Sequence, residues 1–211
     1  MTTLNGIDVS AAGQGANFPW GQYHGKISFA FIKISEGTTF DDPDARANIA
    51  AARKLGLAVG GYHMLLNGTG AQGGPQQAEW FLHCAEQAGL RPHDLIAVDV
   101  EDYGLGDVDR GNALDVEQSL IHFDLVAGQF AGELRKHFPR FNPVVYTEIS
   151  IAPHLESMAA CPLWLADLSV PLLTGIGPWN LVSFWQTGQR GVDTDVFNGS
   201  AADLAKLGFS K

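Results

Sequence analysis

The stretch LIAVDVE at residues 95–101 places two acidic residues directly after a run of apolar ones. Leu95 to Val98 has the composition of a buried strand, and Asp99 and Glu101 stand two positions apart at its carboxyl end. Side chains at positions i and i+2 of a strand point to the same face, so the two carboxyl groups share one side. An α/β barrel places its active site at the carboxyl ends of its strands. The stretch therefore predicts an acidic site at one end of a parallel sheet.

Short apolar runs alternate with helical stretches on both sides of this strand. Such alternation is typical of a parallel α/β sheet or barrel. The apolar runs and the helix-capping residues predict strands at residues 4–9, 27–35, 57–66 and 95–101, and helices at residues 42–55, 75–88 and 112–138.

The second half of the chain has strands in quick succession, predicted at residues 144–146, 163–166, 181–186 and 192–197. Residues 148–161 have room for a short helix. Residues 167–180 contain Pro and Gly twice each, and residues 187–191 are only five long, so neither connection is a crossover helix. Eight strands with about five helices predict one α/β domain over residues 1–211. We expect a modified eight-stranded, TIM-barrel-like fold whose last strands are joined by loops or hairpins.

Composition and charge exclude several classes of protein. Thirteen Lys and Arg against twenty-three Asp and Glu give the 211-residue chain a net charge of −10, which opposes binding to nucleic acid. No run approaches the roughly 18 apolar residues that span a bilayer, and residues 1–10 lack the pattern of a secretion signal. We therefore expect no nucleic-acid partner and no membrane insertion. Separately, we expect a monomer. Cys84 and Cys161 are expected to be free thiols, and a single disulfide is the alternative.

Further acidic residues fall at corresponding places in other strands. Asp8 lies in the first strand, in GIDVS, and Asp193 and Asp195 lie in the last, in VDTDVF. Carboxylates that converge on one mouth repel each other, which raises at least one pKa, as a general acid at neutral pH requires. Hydrolases of glycosidic bonds use such a pair of carboxyl groups. A hard cation held by Asp8, Asp99, Glu101 and Asp193 is the less favoured interpretation, and we expect no metal.

Several other features have a possible role in binding. Residues 68–73 match the dinucleotide-binding glycine pattern, but they follow the third predicted strand rather than the first, so we expect no cofactor. His63 is a candidate for the lining of the mouth. Flat aromatic rings offer apolar faces to sugars, and three such residues near strand ends are candidates for substrate contact: Tyr62, Tyr146 and Trp164.

The chain resembles the lysozymes of glycoside hydrolase family 25, the Chalaropsis-type muramidases, over its whole length. The similar blocks occur in the family's order, and they are GIDVS at 6–10, FAFIKISEGTTFDD at 29–42, GGYHM at 60–64, DVE at 99–101, VVYTE at 144–148, PLWLAD at 162–167, FWQT at 184–187 and GVDTDVFNGS at 191–200. The family fold is a barrel of eight strands and five helices. The resemblance implies cleavage of the β-1,4 bond between N-acetylmuramic acid and N-acetylglucosamine in bacterial peptidoglycan.

The resemblance also implies roles for individual residues. Glu101 corresponds to the general acid and Asp99 to the carboxylate that stabilises the charged intermediate. Asp8 and Asp193 complete an acidic floor, and Glu36 matches an acidic family position. Tyr62, Tyr146 and Trp164 fall where the family lines its sugar groove.

Two segments depart from the family pattern. The segment after the first strand is longer than usual. Thr194 and Asp195 stand where family members more often carry an apolar residue and Asn, which leaves the choice between Asp193 and Asp195 open, since alternation puts both on one face.

The alternatives to a muramidase are a glycan-binding barrel without catalysis and a barrel hydrolase that cleaves chitin. The intact Asp-Val-Glu sequence argues against the first. An enzyme that acts on the bacterial cell wall without a visible signal is expected either to stay cytoplasmic until release, as a phage lysin does, or to be secreted by another route.

Overall fold

The computed structural model describes residues 2–15, 17–106, 113–139, 141–166, 175–188 and 191–208. The described strands form one sheet, and in chain order they are β1 (Leu4–Val9), β2 (Phe29–Glu36), β3 (Phe40–Asp41), β4 (Ala58–Met64), β5 (Leu95–Val100), β6 (Val144–Glu148), β7 (Leu163–Ala166), β8 (Val182–Gly188) and β9 (Asp193–Phe197). The helices in the same part of the chain are α1 (Ala11–Gln14), α2 (Ala45–Lys54), α3 (Gly74–Ala88), α4 (Ala113–His137) and α5 (Ala201–Ala205).

Eight of these strands close into a barrel. Their order is β1-β9-β8-β7-β6-β5-β4-β2, and β1 pairs with β2 to complete the ring, while β3 is a short antiparallel addition to β2. Apart from β3, the strands from β1 to β8 run parallel to one another, whereas β9 is antiparallel to both of its neighbours. The predicted α/β barrel of eight strands and about five helices, with its last strands joined by loops or hairpins, is therefore confirmed.

The predicted boundaries shift by a few residues. Strand β2 begins two residues later than expected, and α2 begins at Ala45 with Asp44 as its N-cap. Asp42 precedes the helix, and its carboxylate accepts the backbone N–H groups of Ala11 and Asp44. Two 3-10 turns, Ala152–His154 and Glu156–Met158, take the place of the short helix considered for residues 148–161. Of the predicted loop at residues 167–180, residues 167–174 lie outside the described part. The sequence did not indicate α1, β3 or α5.

Side chains alternate along each strand between two apolar layers. Outward-facing residues such as Ile7, Ile96 and Val98 pack against the helices. Inward-facing residues fill the barrel, chiefly with aromatic rings, and they include Phe29, Phe31, Trp164, Phe184 and Phe197. The rings fit because Gly6 and Gly60 face them: a Cβ atom there would lie 2.3 Å from the Phe29 ring and 2.4 Å from the Phe31 ring, respectively.

We expect Gly60→Ala to destabilise the barrel, because the added methyl group has to displace the buried Phe31 ring. Overpacking of this kind costs about 1–3 kcal/mol of unfolding free energy. Urea denaturation measures the difference from the wild type. Gly132→Ala is the matched control, since Gly132 lies within α4 and a methyl group added there would have no neighbour within 4 Å, and it should raise stability by about 0.5–1 kcal/mol. Equal effects of the two substitutions would contradict the packing argument.

Candidate active site

The predicted acidic residues meet in one cleft of about 260 Å³ at the mouth of the barrel. Parallel strands deliver Asp8 and Asp99 at their carboxyl ends, and Glu101 follows in extended backbone, so its side chain keeps the inward direction. Asp193 stands at the amino end of β9, which reaches the same mouth because β9 is antiparallel and pairs Asp193 with Asp8. The other residues that line the cleft are Ser10, Ala12, Lys33, Tyr62, Met64, Tyr146, Trp164 and Gln186.

Asp99 and Glu101 form the acidic pair that the sequence predicted. Asp99 is buried, and its Oδ1 atom has no hydrogen-bond partner among the described residues. Burial, and then the negative charge of Glu101, raises the pKa of Asp99 well above its usual value. Burial, and then the charge of Glu148, raises the pKa of Glu101. The pair therefore keeps a proton at a higher pH than an exposed pair of carboxyl groups would.

Asp8 is held by a hydrogen-bond chain that crosses the barrel. The Tyr146 hydroxyl donates to Gln186 Oε1 at 3.1 Å, and Gln186 Nε2 donates to Asp8 Oδ2 at 3.1 Å. Burial and the neighbouring charge of Asp193 raise the pKa of Asp8 to about 7, although the bond from Gln186 acts in the opposite direction. Asp8 is thus fixed in position and titrates near neutral pH.

Asp193 and Asp195 face inward at different depths. Asp193 lines the cleft and is partly exposed, and burial raises its pKa. Asp195 is 1% exposed, and its Oδ1 atom accepts a hydrogen bond from Trp164 Nε1 at 2.9 Å. The structure therefore places Asp193 at the surface of the cleft and Asp195 beneath it.

The three candidate aromatic residues differ in how much of each ring is free. Tyr62 and Tyr146 line the cleft and are partly exposed. Trp164 also borders the cleft but is only 2% exposed, because its ring stacks on Phe31 with a centroid distance of 4.5 Å and meets the edge of Tyr146 at 4.8 Å. Tyr62 and Tyr146 therefore offer more surface for a sugar than Trp164 does.

Glu36 is not part of the cleft lining but touches a residue that is. Glu36 Oε2 accepts a hydrogen bond from the Lys33 ammonium group at 2.7 Å, and Lys33 Nζ also lies 3.5 Å from Met64 Sδ. The positive charge of Lys33 lowers the pKa values of Asp99 and Glu101, against the larger effect of burial. Glu36 thus fixes a cation beside the acidic pair.

Sequence reasoning missed several polar residues at the mouth, among them Lys33, Glu148 and Gln186. Each stands two positions after an inward-facing aromatic residue, namely Phe31, Tyr146 and Phe184. Glu148 accepts a hydrogen bond from the backbone N–H of Asp102, next to Glu101. The two-residue period of the strands was the signal that could have found all three.

The expectation that His63 lines the mouth is wrong. His63 follows the inward-facing Tyr62, so it points outward and is fully buried against α3 and α4, stacked on Phe130 with a centroid distance of 5.0 Å. Its Nε2 atom lies 3.2 Å from Gln77 Oε1 and its Nδ1 atom 2.9 Å from Ser35 Oγ. Burial lowers its pKa to about 3, so the imidazole is neutral at physiological pH.

The glycine-rich loop at residues 68–73 and the two cysteines belong to the structural framework rather than to the cleft. Gln77 closes the glycine loop at residues 68–73, since its side-chain amide donates to the carbonyl oxygen atoms of Leu66 and Gln72. Cys84 and Cys161 are buried free thiols, as expected. Within the described residues, no group of three or more His, Cys, Asp or Glu side chains is arranged to hold a metal ion, and no helix has the length and apolar character needed to cross a bilayer.

We expect the raised pKa of Asp8 to make stability depend on pH. The folded state binds this proton more tightly than the unfolded state, whose value is 3.8, so the contribution is complete below about pH 4. It is lost as the pH rises through about 7, with a slope of up to about 1.4 kcal/mol per pH unit. Urea denaturation across this range measures the slope.

Asp8→Asn should flatten that slope, because Asn does not titrate. The comparison isolates Asp8 from His63, whose lowered pKa acts in the opposite direction in part of the same range. Glu117→Gln, at an exposed position on α4, is the matched control and should leave the slope as in the wild type. Parallel curves for Asp8→Asn and the wild type would exclude Asp8 as the titrating group.

Comparisons with known proteins identify the family of the chain. The sequence pattern of Glycosyl hydrolases family 25 matches residues 7–196. Lysozyme M1 of Streptomyces globisporus is 30% identical over 219 residues, which cover 97% of this chain and 71% of that protein.

Two solved structures share the fold. The lysozyme of Streptomyces coelicolor superposes with a TM-score of 0.77 at 28% identity, over 99% of this chain and 98% of that one. The family GH25 lysozyme of Aspergillus fumigatus superposes with a TM-score of 0.76 at 28% identity, over all of both chains. This chain belongs to family 25 of the glycosyl hydrolases and is a glycoside hydrolase of the lysozyme, or muramidase, type.

Proposed function

We propose that this chain hydrolyses the β-1,4 bond between N-acetylmuramic acid and N-acetylglucosamine in bacterial peptidoglycan, with Glu101 as the general acid. The observation that carries the proposal is the Asp99–Glu101 pair, which lies at the mouth of a family 25 barrel with both pKa values raised. A glycosidase needs one carboxyl group that keeps its proton until the leaving oxygen arrives. Relatives named as lysozymes support the cell wall as the place of action.

Glu101 is the better placed of the two carboxyl groups to donate that proton. It is partly exposed at the cleft, whereas Asp99 lies deeper in the strand. Glu148 and burial both favour the protonated form of Glu101. When the glycosidic oxygen binds against Glu101, proton transfer leaves two carboxylates, and the positive charge that develops on the sugar ring offsets their repulsion.

Asp99 supports the reaction from below the sugar. Its Oδ1 atom, buried and without a donor among the described residues, can accept a hydrogen bond from the N–H of the substrate's 2-acetamido group. That bond orients the acetamido oxygen for attack on the anomeric carbon, so the substrate itself supplies the nucleophile. Water then opens the cyclic intermediate from the same side that the leaving group occupied, and the configuration is retained.

The other residues shape the electrostatics and the walls of the cleft. Asp8 and Asp193 add negative charge beneath the developing cation. Tyr62 and Tyr146 offer ring faces and hydroxyl groups to the sugars. Glu36 acts through Lys33, whose ammonium group it fixes next to the acidic pair. We propose an enzyme that works as a monomer, without a cofactor, on the wall polymer.

Glu101→Gln should abolish turnover while leaving the fold intact. Loss of a general acid lowers the rate by about 100- to 10,000-fold, and Gln keeps the shape of the side chain without a proton to give. The measurement is mass spectrometry of soluble products from purified peptidoglycan, reduced to mark the new end. The wild type should release fragments that end in N-acetylmuramic acid. Glu117→Gln, at an exposed position on α4, should behave as the wild type.

The other outcomes of this experiment would each indicate a different activity. Fragments that end in N-acetylglucosamine, or cleavage of a polymer of N-acetylglucosamine alone, would show that the enzyme cleaves a different glycosidic bond. Sedimentation with the wall without new ends would favour a glycan-binding barrel. Near-normal activity of Glu101→Gln would remove Glu101 from the proposed role.

The proposed route also predicts the stereochemistry of the product. Participation of the acetamido group gives two inversions at the anomeric carbon, so the β anomer should form first. Proton NMR during the first turnovers, before mutarotation, distinguishes the two anomers. A first-formed α anomer would reject the route and indicate a single displacement by water.

A further inference from the structure

Asp8 and Asp195 form a second pair of carboxyl groups, separate from Asp99 and Glu101. They approach from adjacent strands, β1 and β9, where Gly6 pairs with Asp195 and Asp8 pairs with Asp193. Both side chains are buried, and each carboxyl group affects the pKa of the other. Two ionised carboxylates buried in this way would repel each other without a donor between them, so we expect one member of the pair to keep its proton.

The hydrogen bonds of the two residues indicate which one carries it. Asp8 lines the open cleft, and its Oδ2 atom accepts a hydrogen bond from Gln186 Nε2 at 3.1 Å. Asp195 Oδ1 accepts from Trp164 Nε1 at 2.9 Å, whereas Asp195 Oδ2 is buried and receives no donor from any described residue. These bonds fit a carboxylic acid at Asp195, with Oδ1 as its carbonyl oxygen and Oδ2 as its hydroxyl.

The charged groups around the pair do not replace that proton. The ionisable side chains that face it from β9, β2, β4, β5 and β6 are Asp193, Lys33, Tyr62, Asp99, Glu101 and Tyr146. Lys33 is the cation in this group, and its ammonium hydrogen bonds go to Glu36 and Met64. Burial, and then the charge of Asp8, raises the pKa of Asp195 well above its usual value.

We propose that Asp195 is a positioning residue, which keeps its proton in the working enzyme and donates it in a hydrogen bond to Asp8. The proposal rests on the proposed function only in assigning Asp8 to the floor of the active site. The resulting network runs from the Tyr146 hydroxyl through Gln186 to Asp8, and from the Trp164 indole through Asp195 to Asp8. The edge-to-face contact between Tyr146 and Trp164 closes it. Five strands thus hold the Asp8 carboxylate in one orientation.

Two substitutions separate the hydrogen bond from the charge. In Asp195→Asn, the amide oxygen can accept from Trp164 and the amide nitrogen can donate to Asp8, so the network survives. In Asp195→Ala, both bonds are lost and Asp8 loses a partner. We expect Asp195→Asn to keep most of the wild-type kcat/KM on peptidoglycan fragments and Asp195→Ala to lose about 10- to 100-fold. An Asp195→Asn enzyme as impaired as Asp195→Ala would overturn the proposal.

The proton itself is tested by ¹³C NMR of the whole protein labelled at the Asp carboxyl carbons. Asp195→Asn removes one signal from the spectrum and so assigns it. We expect that signal to stay at the chemical shift of a protonated carboxylic acid through pH 7, and the Asp8 signal to titrate at about the same pH in Asp195→Asn as in the wild type, because one neutral donor replaces another. An Asp195 signal at the ionised position at pH 7 would overturn the proposal.

The two readouts keep this proposal distinct from the proposed function. If the wild type released no fragments from peptidoglycan, the NMR titration would still decide whether Asp195 holds a proton. If Asp195→Ala failed to fold, the NMR titration and the Asp195→Asn kinetics would remain. Glu117→Gln, on the exposed surface of α4, is the matched control and should leave both the kinetics and the two carboxyl titrations unchanged.

Discussion

The burial of several carboxyl groups at one end of the barrel is the constraint on which the rest of the site depends. Asp8, Asp99 and Asp195 are all buried, and burial is the largest cause of the raised pKa of each. A buried, ionised carboxylate is unfavourable without a partner, so protons and hydrogen-bond donors have to be distributed among them. Side chains around the mouth, including Lys33 and Gln186, provide hydrogen-bond donors and charge for this purpose.

The barrel can hold several carboxyl groups at its mouth because apolar and polar inward-facing side chains occupy different levels along its axis. Below the mouth, inward-facing positions hold Phe29, Phe31 and Phe184, which exclude water and support the floor. One level higher, the same alternation brings Lys33 and Gln186 inward on the strands that carry those rings. Because burial above this apolar floor raises the pKa values of Asp8, Asp99 and Glu101, the fold itself favours the proposed acid catalysis near neutral pH.

Much of this arrangement follows from the sequence, because strand alternation is a strong local rule. It predicted that Asp99 and Glu101 share a face, and the short connection at residues 187–191 predicted the hairpin that turns β9 around. Alternation shows on which face of the strand a side chain lies but not how deep it lies in the barrel. It therefore could not decide which of Asp193 and Asp195 reaches the surface of the cleft. Their depths depend on the register of β9 against β1, which is set by long-range pairing.

Local irregularity accounts for the other limits of sequence reasoning. A bulge at Ile34 breaks the two-residue period of β2, so Ile34 packs in the outer layer while the next residue, Ser35, bonds to the outward-facing His63. The bulge thereby turns Glu36 back toward Lys33, a contact that strict alternation would forbid. Bulges reorient side chains in this way next to active sites. The cation beside the acidic pair is thus fixed by a backbone feature that residue types do not reveal.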